Sequence, residues 1–310
     1  MPATSVSVVI CAYSDERREQ LHLAIQSVAG QRVAPLQIIA VIDHNERLMQ
    51  DVAKRFPGIT VIANRHRKGL SGARNSGLEV SRGDVVAFLA DDAIADGNWI
   101  ANMLALYADA DVIGTGGKVV PMWPERRPPW LPEEFDWVVG CSYRGQPEKR
   151  ARIRNPIGCN MSVRRDVAQA VGGFREGAGR TANDANGCEE TEFFIRASEL
   201  QPSSKVLYDP AITVQHQISA DRTSWSYFCK RCIAEGRSKT SMVSRVGSSQ
   251  GLAAERSYVV RVLPLGVLRG LSDLALKRNA WGLARAVNII AGLGLTACGY
   301  TQARFLAAGK

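Results

Sequence analysis

Four short apolar runs, separated by three stretches of helical spacing, fill the first third of the chain and constrain its fold more than any other feature. Val6–Cys11, Leu36–Ile42, Ile59–Ala63 and Val85–Leu89 are rich in β-branched residues and read as buried strands. Between them, Arg17–Val28 sets Leu21, Ile25 and Val28 on one face, and Glu46–Arg55 and Ser71–Val80 also read as helices. This β-α-β-α-β-α-β rhythm predicts a mostly parallel, Rossmann-like sheet with helices on both faces. Ligands of such sheets bind beyond the carboxyl ends of the strands. Three of those ends carry polar or acidic residues: Ala12-Tyr13 after the first strand, Asp43 after the second, and Asp91-Asp92 after the fourth. They are expected to converge.

The 310 residues, 45% of them hydrophobic, suffice for one large α/β domain with an appendage, or for two domains. No basic segment followed by an apolar run opens the chain, so no signal peptide is expected. The seven cysteines are odd in number and scattered, which fits a reducing cytoplasm better than a disulfide framework. Cys229 and Cys232 form a C-x-x-C, but without a second pair at zinc spacing they read as one packed helix face.

Pro121–Pro147 holds Trp123, Trp130 and Trp137 among many prolines. It reads as a long ordered loop or lid that helps shape an acceptor pocket. Ile157–Val163 resumes as a strand and Arg165–Val171 as a helix. Gly172-Gly173-Phe174 is a turn, Glu189–Leu200 a helix, and Val206–Tyr208 and Ile212–Val214 are two short strands. Helical, amphipathic spacing follows from Ser224. Charge is unevenly spread: Arg222–Lys310 carries 14 Lys/Arg against 3 Asp/Glu, and the remainder 25 against 27. A near-neutral body with a basic tail implies an anionic partner. Ala286–Tyr300 is an uncharged run of 15 residues, short for a bilayer span of about 20 residues. It reads as an interfacial or packed helix.

Four constellations carry chemistry. Adjacent carboxylates at the end of a hydrophobic strand, as at Asp91-Asp92, are costly unless a cation meets them. A divalent ion shared with substrate phosphates is one solution, and a turn that caps the next segment is the other reading. Asp43 either accepts the imide N–H of uracil or thymine, or caps the next helix. Lys68–Asn75 (KGLSGARN) sets Gly69 and Gly72 around a helix start, where backbone can approach an anion closely, with Arg74 and Asn75 beside it. Glu189, Glu190 and Glu192 open a helix, where the dipole favours acids, and one of them can take a proton from an acceptor hydroxyl. His216 is either packed or a further metal or phosphate ligand.

In this order and spacing, these segments resemble glycosyltransferase family 2, the inverting sugar transferases of the glycosyltransferase A-type fold, from about Ser5 to His216. The family is α/β, a mostly parallel sheet flanked by helices; here it would carry a C-terminal helical extension. Ser7–Tyr13 resembles the family's opening strand, Gly69–Asn75 its Gly-x-x-x-Ala-Arg-Asn segment, and Asp91-Asp92 the last two positions of its acidic metal motif. The resemblance implies that Ala12, Tyr13, Asp43, Gly69, Arg74, Asn75 and Asp91 bind the nucleotide. It implies Asn160, in Ile157–Met161, at the donor sugar, and Asp92 and His216 at a divalent Mg²⁺ or Mn²⁺. Glu190 would be the base, supported by Glu189. The chain departs from the family pattern at Ala90, where many members have a third acid, and at Glu190, where the family has Asp.

The expectation is therefore a catalytic domain over residues 1–220, with a nucleotide-binding half (1–120) and an acceptor half (150–220), followed by a basic amphipathic extension (221–310). Its partners are a nucleotide-sugar donor, UDP- or dTDP-linked, and a glycan or polyprenyl- or lipid-linked acceptor, as in cell-surface polysaccharide or glycolipid synthesis. The basic region would seat a cytoplasmic protein peripherally on the inner face of the membrane. A nucleotidyltransferase or a non-catalytic nucleotide-sugar binding protein is the alternative. A two-carboxylate glycosidase using Asp92 and Glu190 would leave the strand-end nucleotide features unexplained. No nucleic acid is expected, because aromatic stacking residues are not grouped with the basic tail.

Overall fold

The computed structural model describes residues 4–176, 187–247 and 253–308. These fall into two compact units. The first comprises residues 4–120, 147–176 and 189–217, and the second residues 121–146, 187–188, 218–247 and 253–308.

The first unit is built on the predicted alternation. Strands β1 (Val6–Ala12), β2 (Gln37–Ile42), β3 (Thr60–Ala63) and β4 (Val85–Ala90) alternate with helices α1 (Arg18–Ala29), α2 (Glu46–Arg55) and α3 (Leu70–Val80). They lie parallel in the order β3-β2-β1-β4. Parallel strands need a crossover, and each α-helix supplies one. Period-2 alternation sends Val9, Ile39, Val41, Val86 and Phe88 to one face of the sheet. There they pack with Ala73 and Leu78 of α3 and with Phe174, Phe193 and Phe194.

Beyond β4 the sheet turns antiparallel. β5 (Ala93–Ala95), helix α4 (Trp99–Leu106) and β6 (Val112–Met122) follow, then β7 (Ala151–Arg152), β8 (Asn160–Arg164), α5 (Arg165–Ala170), α6 (Glu189–Leu200) and β9 (Lys205–Gln217). β8 pairs antiparallel with both β4 and β6, and β5 and β7 both pair antiparallel with β9. The two short strands expected near residues 206–214 are one strand that runs through Pro210. The strand expected to begin at Ile157 begins at Asn160, after a turn in which the Asn160 amide donates to the Ile157 carbonyl (2.9 Å).

The second unit is helical. α7 (Trp225–Val246) is capped by Ser224, whose hydroxyl accepts from the Tyr227 amide (3.2 Å). α8 (Ala253–Ser257) runs through a π-helical turn (Tyr258–Val262) into α9 (Leu263–Lys277), and α10 spans Ala280–Ala308. The Trp-rich segment belongs to this unit. It forms a 3₁₀ helix over Glu133–Val139 and packs Leu131, Phe135 and Val138 against Phe228, Cys232, Leu263 and Ile289. Its tryptophans are partly buried against this core, and Trp130 meets Trp225 and Phe228 edge-on. Cys229 and Cys232 share that packed face as free thiols.

Candidate active site

The carboxyl end of the first unit's sheet carries the predicted residues. Asp91-Asp92 forms the turn between β4 and β5, with both residues 4% exposed. Pairing of β5 with β9 sets Ala93 opposite His216 and so brings Asp92 and His216, 124 residues apart in sequence, together. The Gln217 amide donates to the Asp92 carbonyl (2.8 Å), and His216 Nε2 lies 3.0 Å from Asp92 Oδ1. Arg17, in a 3₁₀ turn (Asp15–Arg17) after β1, completes the cluster. Its Nη1 donates to Asp91 Oδ1 (2.8 Å) and to Asp92 Oδ2 (3.1 Å). Burial works against the Arg17 charge, but the two carboxylates outweigh it, so its pKa is raised. Its guanidinium also lies 5.0 Å from the centre of the half-exposed Tyr13 ring.

Asp43 directly follows β2 and is buried. The next helix is capped by Asn45, which accepts from the Leu48 amide (3.0 Å), so Asp43 is not the cap. Its carboxylate instead ties the Gly-rich segment in place. Oδ2 accepts from the Gly69 amide (2.9 Å), and Oδ1 from Asn64 Nδ2 (2.7 Å), with His44 Nδ1 also 2.7 Å away. Gly69 has φ +129°, a region side chains avoid, and a Cβ on Gly72 would lie 2.1 Å from the Arg67 carbonyl. Both glycines are thus required by the backbone. Ala12 ends β1 and is buried, and its carbonyl accepts from the Asp43 amide (2.7 Å).

Three side chains expected at the ligand make hydrogen bonds within the protein. Arg74, expected at the nucleotide, is 4% exposed and donates to Glu189 Oε1 (2.8 Å) and the Gly158 carbonyl (2.8 Å). Its guanidinium is flanked by the Phe88 and Phe174 rings. Asn75 exchanges two 2.8 Å bonds with the backbone of Phe174, fixing the Gly172-Gly173-Phe174 turn. Asn160, expected at the donor sugar, is fully buried. Its amide accepts from Trp99 Nε1 (2.8 Å) and donates to the carbonyls of Ile212 (2.9 Å) and Lys118 (3.2 Å). Through these bonds the side chain ties β8 to α4, β6 and β9.

Glu189 and Glu190 open α6. Glu189 is buried in the Arg74 pair, and its Oε2 has no hydrogen-bond partner among the described residues. Glu190 is half-buried and lies beside Gly158, where a Cβ would come 3.6 Å from the Glu190 carboxyl carbon. The half-buried Cys11 thiol of β1 lies among these groups. Burial pushes its pKa up to about 12; Arg74 counters this, and Asp91 and Asp43 add to it. Among the described residues no group of three or more His, Cys, Asp or Glu side chains is arranged to hold a metal ion as it stands. Sequence reasoning missed Arg17 and Asn64. The signal for Arg17 was its basic charge just past the β1 end, facing the same sheet edge as the acids.

A mixed sheet of this order, flanked by helices, is the architecture of the glycosyltransferase A-type fold. Comparison with known proteins makes the class specific. Residues 7–172 match Glycosyl transferase family 2. A glucosyl-dolichyl phosphate glucuronosyltransferase of Haloferax volcanii is 37% identical over 241 residues, covering 76% of this chain and 77% of its own. The succinoglycan biosynthesis protein ExoM of Rhizobium meliloti is 24% identical, with 75% and 73% covered. A mannosyltransferase from Pyrobaculum calidifontis, solved with GDP-Man and Mn²⁺, shares the fold at a TM-score of 0.62 and 13% identity, over 95% of this chain and 87% of that one. The chain belongs to glycosyl transferase family 2 and is a glycosyltransferase.

Proposed function

We propose that this glycosyltransferase moves a sugar from a UDP- or dTDP-sugar to a hydroxyl of a glycan or polyprenyl-linked acceptor, inverting the anomeric carbon. The observation that carries the reading is the convergence of Asp43, Asp91-Asp92 with His216, and Glu190 on one unit. Asp43 uses three of about four carboxylate acceptor sites on the protein, leaving one for the imide N–H of a pyrimidine base. Carboxylate oxygen suits Mg²⁺ or Mn²⁺, and an imidazole nitrogen beside it favours the transition metal Mn²⁺ over the oxygen-seeking Mg²⁺, so the Asp92–His216 pair fits Mn²⁺ best. Asp92 and His216 would hold it, and Asp91 would meet the ribose. When bound, the cation neutralises charge on the leaving diphosphate. Glu190 takes the proton of the acceptor hydroxyl. Arg74 and Asn160 become positioning residues, the first holding Glu189 and Gly158, the second holding β8 against α4.

Relatives support the donor and acceptor classes. One is named for a dolichyl phosphate-linked substrate, and of two fold neighbours solved with Mn²⁺ one holds UDP and the other GDP-Man, which supports a nucleotide-sugar donor without fixing its base. A thermal-shift series with UDP, dTDP and GDP, each with and without Mn²⁺, tests the reading. At a hundredfold excess over Kd a ligand adds about 2.7 kcal/mol of apparent stability. UDP or dTDP with Mn²⁺ is expected to raise Tm, and Asp92→Ala to lose the Mn²⁺-dependent part. A response to GDP alone would remove Asp43 from the base-reading role.

The helical unit supports a membrane seat. Its helices meet through glycine: a Cβ on Gly236 would lie 2.0 Å from the Thr296 carbonyl, on Gly299 2.1 Å from that of Ile233, and on Gly270 2.6 Å from that of Gly282. Large apolar residues face outward instead. Leu283, Val287 and Ile290, at helical spacing on α10, are 46%, 53% and 61% exposed. Small residues inside and large ones outside is the packing of helices in lipid, the reverse of a water-facing helix. The uncharged run is the middle of α10, and Ala280–Leu306 is long and apolar enough to cross a membrane by length and composition. Lys277 and Arg278 sit at the α9–α10 turn. This basic, apolar-faced unit would dock on the anionic inner face of the membrane. Burying each large apolar side chain is worth about 1.5–3 kcal/mol, so Val287→Asp with Ile290→Asp is expected to weaken sedimentation with anionic vesicles by at least about tenfold. Undiminished vesicle binding would remove α10 from the membrane.

A further inference from the structure

The acidic pair already has a cation. One Arg17 nitrogen touches both Asp91 and Asp92, and the Arg17 side chain is 24% exposed, whereas theirs are 6% and 5%. A divalent ion arriving from solvent therefore meets Arg17 before it meets the carboxylates. We propose that Arg17 is the resident counter-ion of the pair, and that it yields this place to the metal and turns to the donor's diphosphate, coupling metal entry to donor entry. The inference rests on the donor and metal reading above.

The local structure suits a side chain that moves while its backbone stays. Asp15, two residues before it, accepts from Asn45 Nδ2 (2.9 Å) and pairs with Arg18, which fixes the 3₁₀ turn. The guanidinium rests on Tyr13, whose exposed ring offers support outside the carboxylate cluster. A guanidinium and a divalent ion against the same two carboxylates repel one another, so the full charge of both is not accommodated there. Once displaced, a planar guanidinium is suited to phosphate oxygens, which it binds in bidentate fashion. Arg74 does not supply this, since Glu189 and Gly158 hold it inside the fold.

The test is a Mn²⁺ titration of the full chain, followed by the electron paramagnetic resonance signal of free Mn²⁺, with and without UDP. Without UDP, Arg17→Gln is expected to bind Mn²⁺ about tenfold more tightly than wild type, the scale of one hydrogen bond to a charged group. Arg17→Lys keeps the charge and should stay near wild type. UDP should tighten Mn²⁺ binding in wild type and do so much less in Arg17→Gln. Arg17→Met gives the same readout should the glutamine variant fail to fold. Mn²⁺ binding in the neutral variants no tighter than wild type overturns the counter-ion role. No Mn²⁺ binding by any form, with UDP present, overturns the metal reading and this proposal with it.

Discussion

Glu190→Gln is expected to lower kcat by about 10²–10⁴-fold, the range a positioned general base contributes, while donor affinity stays at the wild-type level. The glutamine amide keeps the size of the side chain but takes no proton. Glu190 stands in the first turn of α6, half-buried and beside Gly158, so it is reachable by an acceptor while its neighbour Glu189 is sealed in the Arg74 pair. Steady-state nucleotide release gives kcat, and calorimetry with UDP and Mn²⁺ gives affinity. Turnover within a few fold of wild type would remove Glu190 from the base role. A loss of affinity equal to the loss of turnover would make it a donor contact instead.

The second large effect is structural. Arg74→Ala should destabilise the fold by about 3–5 kcal/mol, because breaking a buried ion pair strands its partner. Glu189 would keep a buried carboxylate with one oxygen already lacking a hydrogen bond among the described residues. The Gly158 carbonyl would also lose its donor, and the gap between the Phe88 and Phe174 rings would lose its filler. Urea unfolding monitored by tryptophan fluorescence measures this. The double variant Arg74→Met with Glu189→Met should recover most of the loss, since apolar replacement of a whole buried pair is often neutral. A cost below about 1 kcal/mol for the single change, the value of an exposed pair, would mean the pair does not organise α3 and α6.

The parallel half of the sheet was legible because its strands are unbroken β-branched runs and its helices have clear apolar faces. Glu46–Arg55 and Glu189–Leu200 fall where their spacing places them. The antiparallel half was not. β6 carries Gly114, Gly116 and Gly117, which erase the apolar signal of a strand. Each is there because its Cβ space is filled, by the Phe194 ring at 2.3 Å, the Pro156 ring at 2.2 Å and the Ile212 carbonyl at 1.9 Å. No local pattern announces contacts of that kind. Pro210 likewise split β9 in the sequence, since proline is rare inside strands.

The site was legible by residue type more than by role. Ala12-Tyr13, Asp43 and Asp91-Asp92 were legible as strand ends; His216 joins them only through the pairing of β5 with β9. Asn160, Arg74 and Asn75 lie in the same region but spend their polar atoms on the protein. A motif identifies which residues a site depends on; only burial and partners separate those that touch a ligand from those that hold the others in place. The Trp-rich segment is a similar case. Its composition marked it as ordered, but that its rings pack against the core of the helical unit depends on Phe228, Leu263 and Ile289, far along the chain.

The central claim is a single displacement at the anomeric carbon, with Glu190 activating the acceptor and the Asp91-Asp92 end of the sheet receiving the diphosphate. Proton NMR of the reaction with an α-linked UDP-sugar and a polyprenyl-linked acceptor reads the configuration of the new bond directly. The account predicts a β-linked product, released with one equivalent of UDP and absent with Glu190→Gln. An α-linked product, or free sugar with no acceptor modified, would contradict it.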